Sequence, residues 1–395
     1  MITTDKIKAF IAKPFFQKYT TVFALWMLLP LIVWLTRTMP VKYNNFLIFR
    51  ESFWHAINHL SLYGPYPEQY NDVFLYGPLF SLLVAPFAVT PVKVGLLTWA
   101  LSLSFSLFIA TRNLPVSKKK LLFIYWFTAH ELLTGLFMWQ FNIGIAAIII
   151  ASYICIEKEK DFWSAFFIVL GTVTKIYGIV GLAFFFFSKH KLRFIASGFF
   201  WLIVLLALPA LFFGPEYTWE QYLRWIQELT MKNESNLFSL KQNVSLLGMV
   251  RKISGSENYS DLWLIIPGII LFCLPYLRIS QYKNAAFRLT YLASVLLFVV
   301  LFSTGSESST YIIPFMGVAI WYVAAPWKRS RLDIGLMIFA FILTSMSPSD
   351  LFPKYIRVTY VYPYALKALP CALIWFKLSY ELCTRNYLST ETRIR

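Results

Sequence analysis

An all-α polytopic membrane protein is the fold class this sequence predicts, and three observations predict it. Of 395 residues, 58% are hydrophobic and only 14% charged, against about 25% charged in an ordinary soluble domain. Mean hydropathy is +0.61. Apolar runs long enough to cross ~30 Å of hydrocarbon recur from residue 20 to residue 378. A soluble enzyme, a disordered chain, a nucleic-acid module and a disulfide scaffold are all excluded. The formal charge of +17 reads as basic cytoplasmic loops beside anionic headgroups, with no nucleic acid as partner. The whole of 1–395 reads as a single integral membrane domain of roughly 10 to 12 spans with membrane lipids around it.

Taken in order, the first 19 residues carry Lys6, Lys8, Lys13 and Lys18. The run 20–36 behind them lacks a small-residue cleavage site and reads as an uncleaved signal anchor. Residues 38–76 form a first external segment. Within it Phe46, Phe49, Phe53, Ile57 and Leu60 recur at three- and four-residue steps, which predicts an amphipathic helix with one apolar stripe. Asn44 and Asn45 stand where its N-cap belongs. Glu51, His55, Asn58 and His59 fall on the polar side, and the helix is expected to lie in the headgroup plane, aromatic face down. A turn at Tyr63-Gly64-Pro65 leads to an acidic loop with Glu68 and Asp72.

Run 77–90 is short, closed by Pro86 and Pro91, and reads as partly inserted. Simple spans are predicted at 94–111, 121–137 and 143–156. Run 162–187 carries Lys175 at its middle and reads as two short helices turning there. Further spans follow at 194–213, 262–277, 289–304, 311–326, 332–346 and 361–378, with 214–261 as a second external segment. Loop charge supports the hairpin. With both termini cytoplasmic and 162–187 turning back, most of the 36 Lys and Arg fall on the cytoplasmic side. A single crossing there would turn every later basic loop outward. Cys155, Cys273, Cys371 and Cys383 show no metal-ligand spacing and read as small hydrophobes.

Candidate chemistry lies in polar groups placed against the membrane. Lys175 is costly in hydrocarbon, so it is a functional candidate; at a hairpin tip it meets the outer surface and is suited to a phosphate. Its alternative is a lysine snorkelling to an interface. Gln140 and Asn142 occupy a very short external turn and either bond a sugar hydroxyl or cap two helix ends. His130 and Glu131 lie inside an apolar run and read as structural. The polar hinge Ser303–Tyr311 offers Glu307 as a base, or as an ordinary helix start. No glycine-rich phosphate loop, zincin motif or serine elbow occurs, and no metal or other resident cofactor is indicated.

Three stretches carry a resemblance to a known family. These are Asn45-Phe46 through Leu62-Tyr63 to Tyr76-Gly77-Pro78-Leu79-Phe80, the Gln140-Phe141-Asn142 turn with Thr174-Lys175-Ile176-Tyr177, and Asn243-Val244-Ser245-Leu246. Over about 20 to 325 the chain resembles the membrane glycosyltransferases of family 87, a branch of the GT-C superfamily. The resemblance implies a GT-C-like helical bundle. It also implies transfer of a hexose, often mannose, from a polyprenyl-phosphate donor to a glycolipid or glycan acceptor at the extracytoplasmic face of the plasma membrane. The polyprenyl-phosphate sugar is a substrate, and no cofactor is implied. Lys175 then faces the phosphate, while Gln140, Asn142, Tyr177, Asn243, Ser245 and His55 are expected to bind substrate.

Relatives carry an Asp where this chain has Asn45, and an amide cannot accept the acceptor's proton. Glu51, Asp72 and Glu307 are therefore the candidate bases, with Glu51 favoured because it lies on the polar face of a helix pinned by Phe46, Phe49 and Phe53, with His55 one turn later on its face. Two further readings are a non-catalytic relative that binds a polyprenyl-linked glycan, and a transporter or flippase. The last would show paired repeats.

Overall fold

The computed structural model describes residues 13–38, 42–256 and 260–388. Both chain ends, and with them the expected cytoplasmic termini, lie outside the described residues. Every regular element among those described is helical. The early elements are α1 (Tyr19–Arg37), α2 (Asn44–Ile57), α3 (Leu79–Ala88), α4 (Val92–Arg112), α5 (Lys118–Phe137), α6 (Asn142–Glu157) and α7 (Asp161–Lys175). They are followed by α8 (Lys191–Phe213), α9 (Pro215–Asn236), α10 (Leu246–Ser254) and α11 (Leu262–Cys273). The last are α12 (Ala285–Leu301), α13 (Ile312–Ala324), α14 (Arg331–Phe339) and α15 (Leu369–Thr384). Length and composition suit α1, α4, α8 and the run Asp161–Phe187 for crossing a membrane.

Helices apolar on all sides are either central or lipid-facing, and burial separates the two. α6, α12 and α13 form the centre, with nearly every side chain covered. Small residues let their backbones approach; a Cβ on Gly317 of α13 would stand 2.9 Å from the Ala293 carbonyl of α12. α8 is peripheral and turns Leu192, Phe199, Ile203 and Leu211 outward.

Run 161–187 bends back on itself, as its central lysine predicts. The α-helix α7 ends at Lys175, and Ile176–Phe187 returns as a 3-10 helix. Gly178 lies against Gly171, Gly181 against Ile168, and Ser188 Oγ donates to Asp161 Oδ1 at 2.6 Å. The two arms match in length for a geometric reason. Fifteen α residues span ~22 Å at ~1.5 Å each, and twelve 3-10 residues span ~24 Å at ~2.0 Å each. A Cβ on Gly178 would lie 2.3 Å from the Gly171 carbonyl carbon, so the arms can close only without side chains there.

Four expectations are corrected. Tyr43 is the N-cap of α2, so Asn44 and Asn45 lie in its first turn. Asn44 is committed elsewhere, its amide bonding Asn71 O at 2.7 Å and its oxygen accepting Asn71 N–H at 2.8 Å. The aromatic stripe of α2 packs on protein instead of lipid: the Phe49 ring lies 4.9 Å from Phe80 and 5.9 Å from Trp99. His55 is 2% exposed and not on a solvated face; it stacks on Tyr66 at 3.9 Å. The span expected at 361–378 begins as α15 at Leu369, because 357–368 is broken into a π turn, a left-handed Ala365 and a 3-10 turn.

Segment 214–261, expected to lie outside, contains α9, a helix the sequence did not resolve. It docks along the first segment: Tyr217 donates to Leu60 O at 2.7 Å, Gln221 accepts from Leu62 N at 3.0 Å, and Trp225 donates to Leu75 O at 3.0 Å.

Candidate active site

A cavity of about 380 Å³ lies at the tip of the hairpin, roofed by α9 and walled by α2, the 72–76 loop and the 303–307 hinge. Lys175 enters it from the hairpin tip. Its ammonium donates to Asn142 Oδ1 at 2.6 Å and to Tyr76 Oη at 3.2 Å, between the Tyr76 and Tyr177 rings at 5.1 and 5.2 Å. The tip is fixed from the side by Gly77, whose N–H donates to Thr174 O at 3.0 Å. A Cβ at Gly77 would stand 2.0 Å from Val173 O, so this approach requires glycine.

A polar chain runs onward from the lysine. Asn142 Nδ2 donates to Gln140 Oε1 at 2.7 Å, and Gln140 Nε2 donates to Glu307 Oε2 at 2.8 Å. Ser309 Oγ also donates to Gln140 Oε1 at 2.8 Å. The amides are thus oriented with donors toward the carboxylate and an acceptor toward the ammonium. On the opposite wall Lys232 pairs with Asp72 at 2.9 Å. Tyr177 Oη meets Ser303 Oγ at 2.8 Å, and Asn233 bonds Thr304. The arrangement sets the Lys175 ammonium against the Glu307 carboxylate, with the Lys232–Asp72 pair on the far wall, suited to holding an anion while a hydroxyl is deprotonated.

A model of glycosyltransferase family 87 matches residues 74–304, more than half of the chain. The chain belongs to this family. Membership makes it a membrane glycosyltransferase. No curated protein sequence matches it. The matched region of this family 87 chain holds Tyr76, Gln140, Asn142, Lys175 and Tyr177, whereas Asn45, Asp72 and Glu307 enter the cavity from outside it.

Of the residues singled out from sequence, Asn45, Asp72, Gln140, Lys175, Tyr177 and Glu307 line the cavity, and Asn142 touches it through Lys175 and Gln140. Asn45 donates its amide to Met138 O at 2.8 Å. Glu51 and His55 are not among the lining residues. Nor do they bond each other: Glu51 pairs with Arg50 at 2.5 Å, and His55 Nε2 meets Gln69 Oε1 at 2.8 Å. The reason is helical phase, since six residues turn ~600° and carry Glu51 away from Asn45. Asn243 and Ser245 are buried outside the lining. Their oxygens meet at 2.7 Å, and Ser245 caps α10 by accepting Gly248 N–H at 2.9 Å. Val244 between them holds the hinge, its N–H donating to Ser306 O at 2.9 Å and its carbonyl accepting Ser306 Oγ at 2.8 Å.

Sequence reasoning passed over Lys232, Asn233, Asn236 and Trp225 of α9, all lining residues. Their signal was a helical period: Tyr217, Gln221, Trp225 and Lys232 recur at three- to four-residue steps or their sums.

Proposed function

We propose that this family 87 glycosyltransferase moves a hexose, with mannose the favoured sugar, from a polyprenyl-phosphate donor to a hydroxyl of a lipid or glycan acceptor. The reaction takes place at the extracytoplasmic face of the plasma membrane, with both termini cytoplasmic. The observation that carries the reading is Lys175, an ammonium in a cavity that adjoins a second crevice. The crevice, of about 650 Å³, has an apolar wall of Ile179, Val180, Ile265, Phe298, Val299 and Phe302, also carries the Arg251–Asp261 ion pair and Ser260, and shares Ile176, Tyr177, Asn233, Ser303 and Thr304 with the cavity. Cavity and crevice together fit an amphiphile whose anionic head lies beside Lys175 and whose isoprenoid tail follows the apolar wall. Hairpin arms of ~22–24 Å are shorter than ~30 Å of hydrocarbon. A tip somewhat below the outer surface suits the proposal, since protein acceptors around the Lys175 charge make it tolerable there.

In the proposed reaction the acceptor hydroxyl gives its proton to a carboxylate as its oxygen attacks the anomeric carbon. The bond from that carbon to the phosphate oxygen breaks, and the electron pair leaves with the polyprenyl phosphate, whose charge Lys175 offsets. Glu307 is the best-placed base. Asp72 is committed to Lys232 at 2.9 Å, while Glu307 is oriented by the neutral Gln140 amide at 2.8 Å.

The test is transfer by the purified full chain from radiolabelled polyprenyl-phosphate hexoses to candidate glycolipids. Glu307→Gln should lower turnover ~100-fold or more while donor binding survives. Full activity in Glu307→Gln removes the base assignment, and Asp72→Asn and Glu51→Gln are then next. Donor binding with no transfer from any hexose donor would favour the non-catalytic reading, which Asn45 supports by presenting an amide where relatives carry the acid.

A further inference from the structure

We propose that Lys367 and Glu131 are positioning residues that set Glu307 in the cavity from beneath, an inference that rests on Glu307 being the base. Neither lines the cavity, and both are buried, with side chains 4% and 0% exposed. Glu131 projects from the middle of α5, and Lys367 from the 3-10 turn ahead of α15. They meet at 2.8 Å across 236 residues of sequence.

The remaining donors of Lys367 point to the hinge. An ammonium has three N–H groups. Beyond Glu131, those of Lys367 reach Ser308 O at 2.8 Å and Ser308 Oγ at 3.1 Å. Ser308 directly follows Glu307 and opens the 3-10 turn Ser308–Tyr311, of which Glu307 is the N-cap. The Glu307 N–H donates to Thr310 Oγ1 at 3.0 Å inside the same turn. The Lys367 backbone is itself fixed, since Thr344 Oγ1 donates to its carbonyl at 2.9 Å. Two hydrogen-bonded chains, Glu131–Lys367–Ser308 and Glu307–Gln140–Asn142–Lys175, thus meet at the peptide bond between Glu307 and Ser308.

A buried ion pair gives little stability over a well-packed apolar replacement. What this pair supplies is geometry. It clamps the residue beside Glu307 to the bundle core, and so holds the turn from which the Glu307 carboxylate, also engaged in the capping box of that turn, accepts from Gln140 at 2.8 Å. A base displaced by about 1 Å loses much of its rate.

The experiment compares the full chain in lipid nanodiscs with the paired variant Glu131→Leu/Lys367→Met, which removes both charges together. Radiolabelled polyprenyl-phosphate hexose is the donor, and kcat, donor KM and thermal midpoint are measured. The expected result is kcat lowered about 10- to 100-fold, with donor KM within about twofold and no loss of thermal midpoint. Lys367→Arg, which keeps the charge and the donors, should recover most of kcat. In a Glu307→Gln background the paired variant should cost nothing further, because both changes act through one group. Unchanged kcat, a raised KM at unchanged kcat, or the same proportional loss in the Glu307→Gln background would overturn the proposal. Full activity of Glu307→Gln alone would instead sink the base assignment. Should the paired variant fail to fold, Glu131→Gln/Lys367→Gln carries the test: the neutral amide pair keeps the buried site polar but withdraws the ammonium from both Ser308 acceptors, and kcat unchanged there is equally decisive.

Discussion

Replacing Lys175 with Met keeps the stem and most of the volume but removes the ammonium. Of its three N–H groups, one is given to Asn142 Oδ1 at 2.6 Å and one to Tyr76 Oη at 3.2 Å. One remains for a phosphate oxygen. A hydrogen bond to a charged group contributes about 1.5–3 kcal/mol, so donor Kd should rise about 10- to 150-fold. The fold should tolerate the change, because Asn142 stays tied to Gln140 at 2.7 Å and a buried cation is replaced by an apolar group. Lys232 lines the same cavity but is paired with Asp72, so Lys232→Met should weaken donor binding less. The assay is equilibrium binding of radiolabelled polyprenyl-phosphate hexose to protein in nanodiscs, with thermal midpoint as the control for folding. A folded Lys175→Met protein whose donor Kd moves less than about twofold would refute the phosphate role.

Gly77→Ala should lower the thermal midpoint, at an overpacking cost of about 1–3 kcal/mol or more, because its Cβ would stand 2.0 Å from Val173 O; an unchanged midpoint would contradict that close approach. Burial holds the His55 imidazole below its ordinary pKa of 6.5, against the opposing pull of Gln69 and Glu51. The unfolded chain therefore binds the proton first, and stability present above pH 6.5 is lost as pH falls below it. Thermal midpoints at about pH 7.5 and about pH 5.5 should differ in the wild type and differ less in His55→Gln. Cysteines placed at the exposed Glu68 and Ser235 in a cysteine-free background should label from outside intact cells; labelling only after permeabilisation would reverse the proposed orientation.

Much of the architecture was legible because bilayer thickness acts on composition alone. Apolar runs marked α1, α4 and α8 to within a few residues, and one lysine inside one run, weighed against basic loops on either side, predicted the hairpin. The break at 357–368 was signalled only by Pro363 and by Arg357 and Lys367 at its edges; the π turn, the left-handed Ala365 and the 3-10 turn that make it came from the tertiary structure. Lys367, like Lys175, is a cation inside an apolar run, though it shares that run with Lys377, and its partner Glu131 is 236 residues distant. No spacing rule pairs them.

The sequence by itself determined a membrane-embedded helical chain, the family 87 resemblance, and the residue types from which its chemistry can be built. Tertiary structure decided which of them meet. Lys175 joins Asn142 and Tyr76, and Gln140 joins Glu307 across 167 residues. The case of α2 shows why. Its period fixed the angle between Asn45 and Glu51, but a period holds no information on rotation about the helix axis. That rotation was set when Phe49 packed on Phe80 and Trp99, which turned Asn45 toward the cavity and Glu51 away from it.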